Sequence, residues 1–180
     1  VRSSAASDVY KRQQKDKALT AIRAAKAASK ENSVILDKHL AELTYQVAKT
    51  QAQKDQALAL AKSTCNQYPY SGLAASNYVE LLFQSGKHQE LVDYLRNQSA
   101  LSRSNPDYHM YLARSYEALG KKSMAFAATG DMYALLDNPR AAVYQFELAQ
   151  KANDGDFYIM SEIDAKLREQ RQKVLDQKKD

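Results

Sequence analysis

With 180 residues, 44% of them hydrophobic, the chain is long enough to bury a core, and its five Gly, three Pro and abundant Ala, Leu, Gln and Lys favour helices over a sheet-rich fold. The single cysteine, Cys65, excludes an internal disulfide and a cysteine-rich zinc cluster, and no run approaches the ~20 apolar residues of a membrane span. The formal charge is +5, but residues 1–30 hold eight Lys or Arg against two Asp, so residues 31–180 have a net charge of −1. This distribution argues against nucleic-acid binding.

The two ends of the chain differ in composition from its middle. Residues 8–13 read Asp-Val-Tyr-Lys-Arg-Gln, which resembles the translated end of a transposase adapter used in sequencing libraries. We therefore expect residues 1–13 to be an adapter-derived or disordered tail that packs on nothing. In residues 14–33, Leu19, Ile22 and several alanines recur at helical spacing among Lys and Arg, which predicts a linker helix. Residues 177–180 are predicted to be a disordered tail.

Helical patterns occupy the rest of the chain. They lie at about 34–50, 53–67, 72–85, 88–98, 107–119, 121–136, 139–151 and 156–176. Most connections are very short, and short connections make neighbouring helices antiparallel. The polar run at 99–105, which ends at Pro106, is instead predicted to be a longer loop.

Self-similarity at a fixed period indicates a repeat architecture. Gly86 and Gly120 are related by a spacing of 34, and each follows a predicted helix and precedes a Lys. Glycine at that position tolerates the positive φ that closes a helix end. The same spacing of 34 relates Ala57, Leu91 and Ala125. We therefore predict an all-α fold in which residues 34–176 form a right-handed solenoid of antiparallel helix pairs with this period.

The last repeats resemble the tetratricopeptide repeat. Its pattern places a small residue three before Tyr in the first helix, and Ala, an aromatic residue and Ala in the second. This sequence reproduces that pattern at Gly130, Tyr133, Ala142, Phe146 and Ala149. Small residues allow two helices to approach closely, and the aromatic ring fills the space beside them. Core packing is therefore the expected role of these side chains.

A second, partly overlapping match lies one helix earlier. It consists of Ala113, Tyr116, Gly120 and Ala125. In the later repeat, Asp137 stands at the position where Gly is usual. We expect Tyr116 to be a core residue as well. Residues 72–98 and 38–68 match the pattern less well.

A closer resemblance involves the C-terminal part of the chain. Residues 142–149 (AVYQFELA), 155–158 (GDFY) and 163–169 (IDAKLRE), together with the upstream segment 111–120, are similar to the C-terminal tetratricopeptide-repeat domain of BepA-like periplasmic zinc metalloproteases, the beta-barrel assembly-enhancing proteases of Gram-negative bacteria. The resemblance implies a periplasmic parent protein with a signal peptide and a zinc protease domain upstream. It also implies action on outer-membrane proteins during their assembly.

The residues of a catalytic or metal site are absent from this sequence. The His-Glu-x-x-His helix that holds zinc in such proteases does not occur, and none of His39, His88 and His109 has a second His four residues away. There is also no Gly-rich phosphate loop and no Gly-x-Ser-x-Gly elbow. We predict that this chain is not itself an enzyme and holds no cofactor, and that zinc belongs to the upstream domain which the resemblance implies.

The predicted function is polypeptide binding in a concave groove lined by the first helix of each repeat. The candidate partner-binding residues are Ser76, Glu80 and Phe83, their counterparts one period later, Met110, Arg114 and Glu117, and Asp131. By resemblance, the partner would be the outer-membrane assembly machinery or an unfolded outer-membrane protein. Two alternatives stay open: Phe83 and Met110 could pack between helices, and the chain could be a stand-alone scaffold or adaptor without a link to proteolysis.

Overall fold

The computed structural model describes residues 2–29, 31–98 and 103–177. Within these ranges the chain is all-helical and contains no strand, which confirms the predicted all-α helical-repeat class. The helices are α1 (Arg2–Ala28), α2 (Val34–Val47), α3 (Gln51–Gln67), α4 (Gly72–Gln84), α5 (His88–Asn97), α6 (Pro106–Ala118), α7 (Lys122–Leu135), α8 (Pro139–Ala152) and α9 (Phe157–Asp176). None of the described helices is both long enough and apolar enough to cross a lipid bilayer.

Helix α1 differs from the prediction at its start. The predicted helix began at residue 14, after a tail at 1–13, but α1 begins at Arg2. Ala, Arg, Lys and Gln are strong helix formers, so the residues before 14 can continue the helix without an apolar stripe. The side chains at 10–13 are all exposed, whereas Leu19 is buried.

The other predicted irregular segments are described only in part. Of the loop predicted at 99–105, residues 99–102 lie outside the described ranges, and Arg103 and Ser104 form a turn. Asn105 then caps α6, because its Oδ1 accepts a hydrogen bond from the Asp107 N–H (2.9 Å), and Pro106 opens that helix. Of the tail predicted at 177–180, Gln177 belongs to a turn and the last three residues lie outside the described part of the chain.

The chain divides into two compact units, Val1–Ser85 and Gly86–Asp180. The division falls inside the range 34–176, which the sequence predicts to be one repeat domain. In the N-terminal unit, α1 packs on α2, α2 on α3 and α4, and α3 on α4. In the C-terminal unit, α5 packs on α6, α6 on α7, α7 on α8, and α8 on α9. Consecutive helices therefore pack on one another within each unit, as a helical repeat requires.

The period of 34 is visible in the helix boundaries. Helices α4 and α6 begin 34 apart, at Gly72 and Pro106, and α5 and α7 begin 34 apart, at His88 and Lys122. The glycine that closes α4 and the glycine that closes α6 both have positive φ, 69° at Gly86 and 72° at Gly120. The predicted role of these two glycines at the helix ends is therefore confirmed.

In the turn after α7, the residue with positive φ that closes the helix end is not a glycine. Asp137 has φ 53°. Its N–H donates to the Ala134 carbonyl (3.3 Å), and the Asn138 N–H donates to the Tyr133 carbonyl (2.9 Å). The turn after α6 has the same pair of bonds, made by Gly120 and the residue after it. This Schellman arrangement satisfies carbonyls at the helix end and directs the chain back toward the preceding helix.

The core of the C-terminal unit lies between α7, α8 and α9. It is centred on the buried side chains Ala142, Phe146, Ala149, Ile163 and Leu167. Half-buried side chains pack around it, among them Tyr133, Phe126 and Met160. Tyr116 is also buried, and burial raises the pKa of its phenol. The predicted packing roles of Tyr116, Phe146 and the two alanines are confirmed.

Candidate functional site

A groove with a volume of about 670 Å³ lies along α6, α7 and α8 in the C-terminal unit. Its floor is mainly apolar and includes half-buried side chains from all three helices, namely Met110, Ala113, Ala125, Phe126, Met132 and Leu148, and the half-buried polar residues Thr129 and Gln145 also line it. An open apolar depression on a folded domain is a frequent sign of a binding surface. We call this surface, with the polar residues around it, the α6–α8 groove.

Charged side chains surround this floor. Arg114 and Glu117 come from α6, Lys122 from the start of α7 and Lys151 from the end of α8, and all four are exposed. The edge of the groove therefore carries three positive charges and one negative charge. In the described part of the chain, none of these four side chains forms an ion pair with another residue.

Helical periodicity explains how α6 contributes to the groove. Met110, Arg114 and Glu117 are spaced i, i+4 and i+7, so they lie on one face of the helix. The opposite face of α6 carries Leu112 and Tyr116, which are buried. Three of the seven predicted site residues thus lie together in the α6–α8 groove.

The predicted site residue Asp131 does not line the α6–α8 groove. It lies on another face of α7, where its Oδ2 atom is 2.8 Å from Lys166 Nζ and 3.9 Å from His109 Nδ1. Burial lowers the pKa of Lys166, but its ion pairs with Asp131 and Glu162 outweigh that effect, so the net shift is upward. The observed contacts of Asp131 therefore tie α7 to α9.

The other three predicted residues lie on α4, in the N-terminal unit. Glu80 is exposed and accepts a hydrogen bond from Gln84 Nε2 (3.1 Å). Ser76 is half-buried and donates to the Leu73 carbonyl (3.1 Å), and Phe83 is half-buried. A common binding face for these residues and Met110, Arg114 and Glu117 stays a prediction.

The sequence analysis missed the contributions of α7 and α8. On α7, the lining residues Lys122, Phe126, Thr129 and Met132 follow one another at steps of three or four. This spacing is a visible helical stripe that could have identified them. Ala125 shares the spacing of 34 with Ala57 and Leu91, but it lies half-buried in the groove floor, whereas those two residues are fully buried.

The start of α7 is fixed by a residue that follows α8. Asp154 accepts two hydrogen bonds, from the Lys122 N–H (2.7 Å) and from the Ser123 N–H (2.8 Å). Ser123 is fully buried, and its Oγ accepts a hydrogen bond from the Asp154 N–H (3.2 Å). Hydrogen bonding to the Ser123 side chain, and then to these backbone N–H groups, lowers the pKa of the Asp154 carboxyl. A remote carboxylate thus caps α7, whose own N-cap residue, Lys121, makes no side-chain cap bond.

Neither metal clusters nor sequence relatives identify a further activity. In the ranges that the structure describes, no three or more His, Cys, Asp or Glu side chains are grouped as metal ligands would be. No protein-family profile matches the sequence, and no curated protein is significantly similar to it.

Proposed function

We propose that the chain is a polypeptide-binding helical-repeat module and that the α6–α8 groove is its binding site. The observation that supports this proposal is the combination of an open apolar floor of about 670 Å³ with a charged edge. Sites for small molecules usually enclose most of the surface of the ligand, whereas this groove is open. Here the charged groups lie at the edge, an arrangement suited to a chain that inserts apolar side chains and leaves its polar ones outside.

The side chains of the floor fit a variable apolar partner. Met110 and Met132 contribute flexible thioethers, which adapt to apolar groups of different shape, and Phe126 supplies a large rigid surface. The packed core of the unit, centred on Phe146, lies between α7, α8 and α9. Met110 and Met132 do not belong to that cluster.

The proposal is tested by truncating methionines on and off the groove. A short, fluorescently labelled amphipathic peptide is titrated with the whole chain, and its anisotropy gives the Kd. We expect Met110→Ala and Met132→Ala each to weaken binding by about fivefold or more, since truncated interface anchors typically cost above ~1 kcal/mol. Met124→Ala and Met160→Ala remove the same group from half-buried sites outside the groove lining and should leave Kd unchanged. Equal effects of all four, or absence of binding, would contradict the proposal.

The resemblance of residues 142–149, 155–158 and 163–169 supports a more specific proposal. The module is the client- or partner-binding C-terminal domain of a periplasmic zinc metalloprotease, and its clients are outer-membrane proteins or their assembly machinery. Genomic sequence upstream of residue 14 decides this point. A continuous reading frame that encodes His-Glu-x-x-His supports the proposal, and a frame without it removes the link to proteolysis while leaving the binding module in place.

A further inference from the structure

Among the described residues of the C-terminal unit, some cations form ion pairs with carboxylates, and others, including those at the edge of the α6–α8 groove, do not. On α9, Lys166 pairs with Asp131 and Glu162, Arg171 with Glu147, and Lys173 with Glu169. At the groove, by contrast, no described carboxylate pairs with Arg114, Lys122 or Lys151. These three cations are therefore available to a partner.

The positive charge at the groove also differs from the balance of the chain around it. The whole chain has a formal charge of +5, and residues 1–30 have a charge of +6. Residues 31–180 therefore carry a formal charge of −1. The groove edge has three cations and only Glu117 as an anion, a local charge of +2. A local excess of one sign beside an apolar floor favours a partner that combines the opposite sign with apolar side chains.

We infer that the partner of the α6–α8 groove is an acidic amphipathic polypeptide segment. Its apolar side chains lie on Phe126, Met110 and Met132, and its carboxylates approach Arg114, Lys122 and Lys151. This inference rests on the proposed function and names the chemistry of the bound segment. A nucleic acid offers negative charge but no aliphatic side chains for the mainly apolar floor.

Geometry places the three cations on three different helices around the floor. Arg114 lies within α6, Lys122 at the first residue of α7 and Lys151 in the last turn of α8. A segment lying along the floor can therefore place carboxylates near more than one of them. Each side chain is exposed, so each contact with a carboxylate is weak and is screened by salt.

The experiment compares two peptides that differ only in charge. Both are short and of equal length, with Leu and Phe at i, i+3, i+4 and i+7, and the remaining positions are Glu in one peptide and Gln in the other. Anisotropy titrations with the whole chain are run at low and high NaCl. We expect the Glu peptide to bind about tenfold more tightly at low salt, as three exposed ion pairs would give, and the difference to disappear at high salt.

Protein variants assign this preference to the groove. The triple variant R114Q, K122Q and K151Q should bind the Glu peptide no more tightly than it binds the Gln peptide, so that the preference for the Glu peptide disappears. The control triple variant R103Q, R140Q and R168Q removes the same charge from exposed side chains that do not line the groove, and it should keep the preference. If a variant loses helicity, the comparison of the two peptides on the unmodified chain still tests the inference.

The outcomes separate the inference from the proposed function. Equal binding of the two peptides overturns the acidic partner but leaves a polypeptide-binding groove. Failure of both peptides to bind overturns both claims. A single-stranded oligonucleotide of equal charge serves as a third probe, and affinity equal to that of the Glu peptide would show that charge alone is recognised, which also overturns the inference.

Discussion

A Cβ atom added to Gly130 would lie 2.8 Å from the Cε1 and Cζ atoms of the Phe146 ring. This close approach joins α7 to α8, and these are two of the three helices that carry the α6–α8 groove. Phe146 is only 1% exposed and belongs to the core of the C-terminal unit, so its ring has little space to move away. The glycine is therefore required by packing, since α7 continues through it with ordinary helical geometry.

Gly130→Ala should destabilise the chain. Overpacking a core costs typically 1–3 kcal/mol, which outweighs the ~1 kcal/mol that Ala gains over Gly inside a helix. We expect a net loss of about 1 kcal/mol in the free energy of unfolding, measured by urea denaturation. Gly72→Ala is the matched control because nothing lies within 4 Å of its Cβ position, and it should not destabilise. A stabilised Gly130→Ala variant would show that the two helices are not in close contact here.

Gly120→Ala should destabilise for a different reason. Nothing lies within 4 Å of its Cβ position, so packing is not affected, but φ is +72° and a side chain is strained in that region. We expect a loss of about 1 kcal/mol in unfolding free energy, and a smaller loss for Gly120→Asn, because Asn tolerates left-handed backbone better than Ala. Asp137, which has φ 53° at the equivalent turn, illustrates that tolerance. Equal losses for both variants would argue against backbone strain as the cause.

Asp154 should make stability depend on pH in acid. Its pKa in the folded chain lies below the ordinary value of 3.8, so the folded state favours the ionised carboxyl. This contribution to stability is complete above the unfolded-state pKa and is lost as the pH falls through the lower folded-state pKa. Urea denaturation between about pH 6 and pH 2.5 should therefore show a steeper loss of stability in the unmodified chain than in Asp154→Asn.

Asp154→Ala at neutral pH tests the same cap by removing it. Loss of an N-cap acceptor typically costs ~1 kcal/mol, and we expect a loss of about that size. Asp107→Ala removes an exposed carboxylate from the first turn of α6 and is the comparison variant for the loss of one negative charge. If Asp154→Ala has no effect on stability, the cap does not hold the start of α7.

The sequence predicted local geometry better than it predicted the groove. Helix boundaries from residue 34 onward, the glycine turns and the Gly130–Phe146 contact follow from periodicity and residue size, which act over short distances or within one repeat. Asp154 and Lys122 meet across 32 residues, and Asp131 and Lys166 across 35, so their contacts depend on the docking of whole helices. No local pattern encodes such pairs.

The floor of the groove illustrates a second limit. Phe126 and Met132 have the spacing of core residues on an amphipathic helix, and Phe126 does contact the core cluster. Whether such a side chain also faces an open groove depends on how far the neighbouring helices stand apart. The spacing of residues along α7 does not encode that distance.

Arg114→Ala and Phe83→Ala test the residues predicted from the first-helix stripe. Arg114 is exposed at the groove edge, so its loss should weaken binding of an amphipathic peptide and leave helicity, measured by circular dichroism, intact. Because Arg114 is exposed, the loss of binding free energy should be about 0.2–1 kcal/mol, as for other exposed ion pairs. Phe83→Ala should have an effect of similar size only if the α4 stripe shares the site. An unchanged Kd for Arg114→Ala would remove this residue from the binding surface.

The most direct test of the polypeptide-binding groove is to map where a bound peptide lies. An amphipathic peptide with a photoreactive diazirine on one apolar side chain is bound to the whole chain, irradiated and located by mass spectrometry. The account predicts cross-links in α6, α7 and α8, at or beside Met110, Phe126 and Met132. Cross-links confined to other exposed apolar residues, such as the aromatic pair Phe157 and Tyr158 at the start of α9, would contradict it.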